Sequence, residues 1–130
     1  MDILSTLDRP IDSGAVVFLY NEAGWWPART PEQVQAVLAT GPAVGAWQGD
    51  DLVGFARAVS DGYFRAYIED VIVRIDHRRK GTATRMLQVL NALLSDVDVV
   101  SLFCPAELVS LYERSGFGAT RQVVLHRPAT

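Results

Sequence analysis

Apolar residues recur along this chain with two different periods, and the changes of period divide it into elements. Residues 2–8 are weakly strand-like, with Ile3 and Leu4 the only large apolar pair before Leu7. Pro10 and the cluster Asp12-Ser13-Gly14 then interrupt the chain. The run Ala15-Val16-Val17-Phe18-Leu19-Tyr20 reads two ways. Its β-branched residues favour a strand. A cap at Asp12 or Ser13, with Val16, Leu19, Tyr20 and Ala23 at helical spacing, favours a helix. Local propensity leaves both open. Residues 24–29 read as a loop. Thr30-Pro31-Glu32-Gln33 is a helix start, with Thr30 as cap, Pro31 at the first position and Gln33 completing a capping box. Val34, Val37 and Leu38 form its apolar stripe, and Gly41-Pro42 ends it.

Three strands are expected next, at 43–48, 52–59 and about 64–75. The turns Gly49-Asp50-Asp51 and Ser60-Asp61-Gly62 separate them, and loops this short imply an antiparallel meander. The period then becomes helical. From Gly81 to Leu94, Ala83, Met86, Leu87, Leu90, Leu93 and Leu94 share one face. Residues 97–103 have few polar breaks and read as a buried strand. A short helix is expected at 105–115, between Pro105 and Gly116, and a last strand at about 118–126. From 64 to 103 the order strand, helix, strand makes one βαβ unit, with parallel strands and a right-handed crossover.

Composition narrows the picture. A length of 130 residues suits a single domain over 1–130, and 49% apolar with 21% charged residues is that of a globular chain with a core. The net charge of −3 argues against nucleic acid as a partner. Cys104 is the only cysteine, so no internal disulfide forms, which fits a reducing compartment. No apolar run approaches a membrane span, and the N-terminus lacks the basic start and apolar core of a signal peptide. The expectation is a cytoplasmic protein with no membrane partner. No His, Cys, Asp or Glu spacing suggests a metal.

The mean charge hides one cluster. Arg78, Arg79 and Lys80 are consecutive and stand between the strand Val71-Ile72-Val73 and the helix that opens at Gly81. A helix N-terminus presents unpaired N–H groups and partial positive charge, which suits a phosphate. Gly81 and Ala83 are small enough to let backbone approach a ligand. Neither the G-x-x-x-x-G-K-[ST] nor the G-x-G-x-x-G spacing is present. The spacing is Arg78-x-x-Gly81-x-Ala83. That segment resembles the acetyl-CoA motif of the GNAT superfamily of N-acetyltransferases. Leu111-Tyr112-Glu113-Arg114-Ser115-Gly116-Phe117 resembles the family's closing motif, and Leu52-Val53-Gly54-Phe55-Ala56-Arg57 resembles the strand that begins its central hairpin. Leu19-Tyr20-Asn21-Glu22-Ala23-Gly24-Trp25 resembles the end of the first helix in small members, so the resemblance assigns 13–23 to helix.

The resemblance implies an α/β (α+β) fold. Its central sheet is mixed, with antiparallel N-terminal strands, splayed parallel fourth and fifth strands, and helices on both faces. Acetyl-CoA would be the cosubstrate. Its pantetheine arm would enter between strands 64–75 and 97–103 and pair with the main chain of Ile72 and Val73. Backbone N–H groups at Arg79, Gly81, Thr82, Ala83 and Thr84 would cradle the pyrophosphate, with charge from Arg78 and Arg79. An alkylamine is mostly protonated near neutral pH and must lose a proton before it attacks the thioester. Glu69 and Asp70 are the candidate bases. Strand alternation sends them to opposite faces, which favours Glu69 alone in the cleft, unless a bulge shifts the count. Tyr112 matches the family tyrosine that protonates the leaving thiolate, and a backbone N–H near Val73 would stabilise the oxyanion. Ile75 and His77 depart from the usual pattern, as does Pro105, where many members carry an Asn that contacts the cofactor arm. His77 reads as a turn residue and Cys104 as a packing residue.

The acceptor site would be lined by Tyr20, Trp25, Trp26, Phe64 and Tyr67. Aromatic walls and a similarity to small arylalkylamine-type members favour a small-molecule primary amine. Without Arg78, Arg79 and Lys80 the chain is more acidic than its net charge, which leaves room for an acidic cleft that attracts a cation. A protein or peptide amine is the alternative acceptor. A non-catalytic acyl-CoA-binding module is the third reading. The resemblance also leaves room for a homodimer.

Overall fold

In the computed structural model, which describes residues 1–129, the ambiguous run at 15–20 is helical. Ser13–Ala23 forms helix α1, with the Asp12 carboxylate accepting from the Ala15 N–H at 3.2 Å. Val16, Leu19 and Tyr20 lie on one side of it and are buried. Gly24 closes it at φ +75°, a left-handed conformation that glycine adopts without penalty. Pro31–Leu38 forms helix α2. Its capping box is complete, with Gln33 N–H donating to Thr30 Oγ1 at 3.2 Å and Thr30 N–H donating to Gln33 Oε1 at 2.9 Å.

Five strands follow one another across a single sheet: β1 (Asp2–Ser5), β2 (Ala43–Gln48), β3 (Asp51–Ser60), β4 (Arg65–Val73) and β5 (Val99–Leu102). The first three pairings are antiparallel and β4–β5 is parallel, with helix α3 (Thr82–Leu93) as the crossover. Helix α4 (Val109–Glu113) comes last. Alternation along the strands divides the core. Val44, Ala46, Val53 and Ala56 pack with Met86, Leu87 and Leu90 of α3. Ala43, Trp47, Phe55 and Ile72 pack with Val16, Leu19 and Tyr20 of α1 and Val34 of α2. The mixed sheet with helices on both faces is the expected one.

Four expectations need correction. Residues 118–126 form no strand; Val123 is 80% and Leu125 89% exposed. Their β-propensity has no ladder to join, and propensity without pairing does not make a strand. In consequence β5 is a sheet edge. The strand expected to be buried over 97–103 spans only Val99–Leu102 and alternates exposed with half-buried residues. The helix expected over 105–115 is a 3₁₀ turn at Ala106–Leu108 followed by the short α4. The long strand at 64–75 ends at Val73, and a 3₁₀ turn, Ile75–His77, leads into the basic segment.

The register of β3 against β4 contains the fold's main irregularity. Phe55 faces Ile72 and Arg57 faces Glu69, so Asp70 and Val71 together stand opposite Ala56. This is a β-bulge, and Asp70 adopts φ +58° to make it. Asp is among the few non-glycine residues that tolerate that region. Among the described residues no helix is long and apolar enough to cross a membrane.

Leu90 is fully buried where α3 meets the sheet. Leu90→Ala is expected to cost about 2–5 kcal/mol. Urea unfolding monitored by circular dichroism measures it.

Candidate active site

The bulge reverses the facing of β4. Ala66 and Ile68 point to the α3 side, and beyond the bulge so do Val71 and Val73, while Ile72 points to the α1 side. Glu69 and Asp70, adjacent in sequence, therefore emerge on the same side. The expected separation of these two carboxylates onto opposite faces is incorrect, because alternation fails at a residue with left-handed φ.

Both carboxylates meet arginines there. Asp70 Oδ2 accepts from Tyr20 Oη at 2.8 Å, Arg57 Nε at 2.8 Å and Arg29 Nη1 at 2.9 Å. Arg57 Nη2 donates to Glu69 Oε2, and Arg29 Nη2 lies 3.6 Å from Glu69 Oε1. The Asp70 side chain is only 2% exposed, whereas that of Glu69 is 21% exposed. A buried carboxylate is costly unless it is paired and hydrogen-bonded, and three donors on one oxygen meet that condition. Burial and then the Asp70 charge push the Tyr20 phenol up to about 12. Burial works against the Arg57 cation, but its hydrogen bond to Asp70 and the charges of Asp70 and Glu69 hold it above its ordinary value. The acidic, cation-attracting cleft is thus not observed at these residues: two guanidiniums match the two carboxylates.

A pocket of about 290 Å³ opens beside this cluster, between α1, α2 and β3. Val34, Val37, Leu38 and Phe55 form its apolar wall, and Tyr20, Arg29, Gln33 and Arg57 its polar end. Arg29 is held from the loop at 24–29, its guanidinium carbon 4.4 Å from the Trp26 ring centre and 5.3 Å from that of Tyr20. These are cation–π distances.

On the other side of β4 the parallel strands part. Pairing with β5 runs from Arg65↔Val99 to Ile68↔Leu102 and stops there. Glu69 is the first β4 residue beyond it. Arg74 N–H donates to the Val53 carbonyl, so the Val73 carbonyl points away from β3 and into the gap, where Arg78 Nε donates to it at 2.9 Å. Helix α3 starts at the same end. Its N-cap, Gly81, has φ +77° and no side chain to satisfy the first turn. Helices α1 and α2 both have side-chain caps. The uncapped N–H groups of α3, beside the exposed Arg78, Arg79 and Lys80, fit a phosphate group. Tyr112 of α4 packs on the α3 side of the sheet and is 8% exposed. Burial, and secondarily Cys104, raise its phenol above the ordinary value, so it holds its proton at neutral pH.

Residues 15–117 match the Acetyltransferase (GNAT) family. The chain belongs to that family. Acetyl-CoA is the acetyl donor its members generally use. Similar solved structures are described as acetyltransferases or putative acetyltransferases. One from Xanthomonas campestris, described as a putative member of the family, superposes with a TM-score of 0.82 at 24% identity, over 99% of this chain and 94% of that one. A putative acetyltransferase from Deinococcus radiodurans R1 gives 0.79 at 28% identity, over 97% and 87%. Among curated relatives, GCN5-related N-acetyltransferase 2, chloroplastic, of Arabidopsis thaliana is 38% identical over 74 residues, 55% of this chain and 29% of that protein. An uncharacterized N-acetyltransferase, ycf52, of Gracilaria tenuistipitata var. liui is 35% identical over 68 residues, 51% of this chain and 37% of that protein. The chain thus spans well under half of each.

Within this GNAT domain the residues singled out from sequence do not all converge on one place. Ile72, Val73, Arg78, Arg79, Gly81, Thr82, Ala83 and Thr84 border the gap or begin α3. Tyr20, Glu69 and Asp70 share the ionic cluster, and Trp26 covers Arg29. Tyr67 stands two residues before Glu69 and stacks on Phe103, with ring centres 4.7 Å apart. Phe103 in turn meets the His126 ring at 5.8 Å. Two aromatic residues lie elsewhere. Phe64 is 65% exposed at the start of β4, about 16 Å along the strand from Glu69. Trp25 does not line the pocket and is 39% exposed. Trp25 and Trp26 are both too exposed to belong to the core, unlike Trp47. Arg29, Gln33 and Arg57 were not anticipated. A signal existed for Arg57, since counting back from the Ser60-Asp61-Gly62 turn sets it opposite Glu69.

Asp70→Asn removes the negative charge shared by two arginines and is expected to cost about 3 kcal/mol in urea unfolding. The raised Tyr20 pKa gives a second expectation. The unfolded chain loses this proton near its ordinary value of about 10 and the folded chain near 12. The folded state therefore holds more protons between them, and stability falls as pH rises through that window. Tyr20→Phe is expected to flatten this fall, as measured by denaturation at a series of alkaline pH values.

Proposed function

We propose that the domain transfers an acetyl group from acetyl-CoA to a primary amine of a small molecule, by direct attack on the thioester. The position of Glu69 carries this reading. It is the first β4 residue past the β5 pairing, and it is bonded to Arg57 of the pocket. An amine held in the pocket and a thioester held in the gap would meet beside it. A pocket of about 290 Å³ suits a small molecule.

In this reading Glu69, the more exposed carboxylate, accepts the amine proton directly or through water. Asp70 is a positioning residue that fixes Arg57, Arg29 and Tyr20. The amine nitrogen bonds to the acetyl carbon, the carbon–sulfur bond breaks, and Tyr112 gives its proton to the leaving thiolate. Ile72 and Val73 hold the pantetheine arm through the main chain. Arg78 exchanges the Val73 carbonyl for a phosphate, and the first turn of α3 from Gly81 to Thr84 takes the pyrophosphate with Arg79.

Release of free CoA thiol on addition of a panel of amines tests this. Amine-dependent release is expected, falling about a hundredfold in Tyr112→Phe. Replacing Arg78 and Arg79 by Ala is expected to raise the acetyl-CoA Kd about tenfold or more. Tight acetyl-CoA binding with no release on any amine would reject the transfer reading, and unchanged affinity in the double variant would reject the phosphate site.

A further inference from the structure

We propose that the acceptor is a small amine that also carries a carboxylate, seated with its anionic end on Arg29 and Arg57. The proposal rests on the acetyl-transfer reading for the word acceptor, but its binding site stands on its own geometry. The charged residues lining the pocket are both arginines, and neither Glu69 nor Asp70 lines it. A ligand inside therefore meets positive charge although the cluster as a whole is balanced. Arg57 commits Nε to Asp70 and Nη2 to Glu69, and among the described residues its Nη1 has no protein acceptor. Arg29 is fixed between Trp26 and Asp70. Two guanidiniums held rigid by carboxylates behind them form a preorganised carboxylate receptor.

The rest of the wall agrees. Gln33 uses its Oε1 to cap α2, which leaves its NH₂ group to donate. Tyr20 donates its proton to Asp70 and accepts from Arg29 Nη1 at 3.4 Å, so it offers a carboxylate no donor and leaves that part to the two arginines and Gln33. Val34, Val37 and Leu38 offer an apolar surface to the body of the ligand. A purely cationic amine of the same size would enter this pocket against two positive charges with no anion on the wall. An amine with a carboxylate supplies the anion itself, and its ammonium group can lie toward Glu69.

The test uses matched ligands and a variant that keeps the fold. N-acetyl-leucine and its neutral amide are titrated into the protein by protein-observed NMR. The acid is expected to bind at least tenfold more tightly and to shift the Val34, Val37 and Leu38 resonances. Gln33→Glu preserves the capping box, since Glu serves there as well as Gln, and adds a negative charge to the wall. It is expected to lower the acid-to-amide preference about tenfold. Turnover is measured in parallel on α- and ω-amino acids and on their amides. Equal binding of acid and amide, or a preference unchanged in Gln33→Glu, overturns the proposal whether or not any amine is acetylated. Acetylation of amides as fast as of acids also overturns it while leaving the transfer reading intact. Charge-selective binding without turnover of any amine supports the carboxylate site and rejects the transfer reading alone.

Discussion

One carboxylate oxygen organises the pocket side of this domain. Asp70 Oδ2 accepts hydrogen bonds from α1 through Tyr20, from the α1–α2 loop through Arg29 and from β3 through Arg57. β3 is laddered to β4 and α1 packs on the same face through Val16 and Leu19, so this oxygen gives elements that already meet there a shared polar anchor. Removing a carboxylate from water costs several kcal/mol, which only a full set of donors offsets. The site is therefore stable only when all three elements are in place together. The bulge is the precondition. With regular alternation Asp70 would point toward α3, into the aliphatic layer of Met86, Leu87 and Leu90, where no cation stands.

The same irregularity separates two kinds of surface. Before the bulge, β4 spends its outer edge on β5; after it, the edge is free of β5 and borders the gap. Main-chain groups border that side, together with the uncapped start of α3. The pocket side is lined by side chains: two arginines, a glutamine, two aromatic residues and aliphatic ones. Glu69 stands where the two meet. Omitting a side-chain cap at Gly81 costs the helix some stability, yet α3 is held by Met86, Leu87 and Leu90 against the sheet and does not depend on its first turn.

Much of this was legible in the residues. The capping box fixed α2, the heptad-like apolar face fixed α3, and the two turns fixed the meander of β2, β3 and β4. Helix α1 was not legible locally, because β-branched residues and helical spacing coexist at 15–20; burial of Val16, Leu19 and Tyr20 against the sheet decides it. The apolar run at 118–126 misled for the converse reason, since strand propensity is realised only through a partner. The site was harder. Glu69 and Asp70 stand out as adjacent carboxylates in a strand, but an arginine in a strand or loop reads as an ordinary solvated cation. Only the hairpin register relates Arg57 to Glu69, and only the bulge adds Asp70.

Electrostatic reasoning from composition failed at this site for a physical reason. Net charge describes the far field, which governs encounter. Selectivity inside a small pocket depends on which groups face the ligand and which stand behind them. Here the carboxylates serve as a second layer: they fix the arginines and lower the cost of burying them, and both arginines line the pocket while neither carboxylate does. A domain with an acidic average thus presents a cationic pocket wall. The general consequence is that charge balance within a cluster and charge presented to a ligand are separate properties, and the bulge at Asp70 is what separates them in this fold.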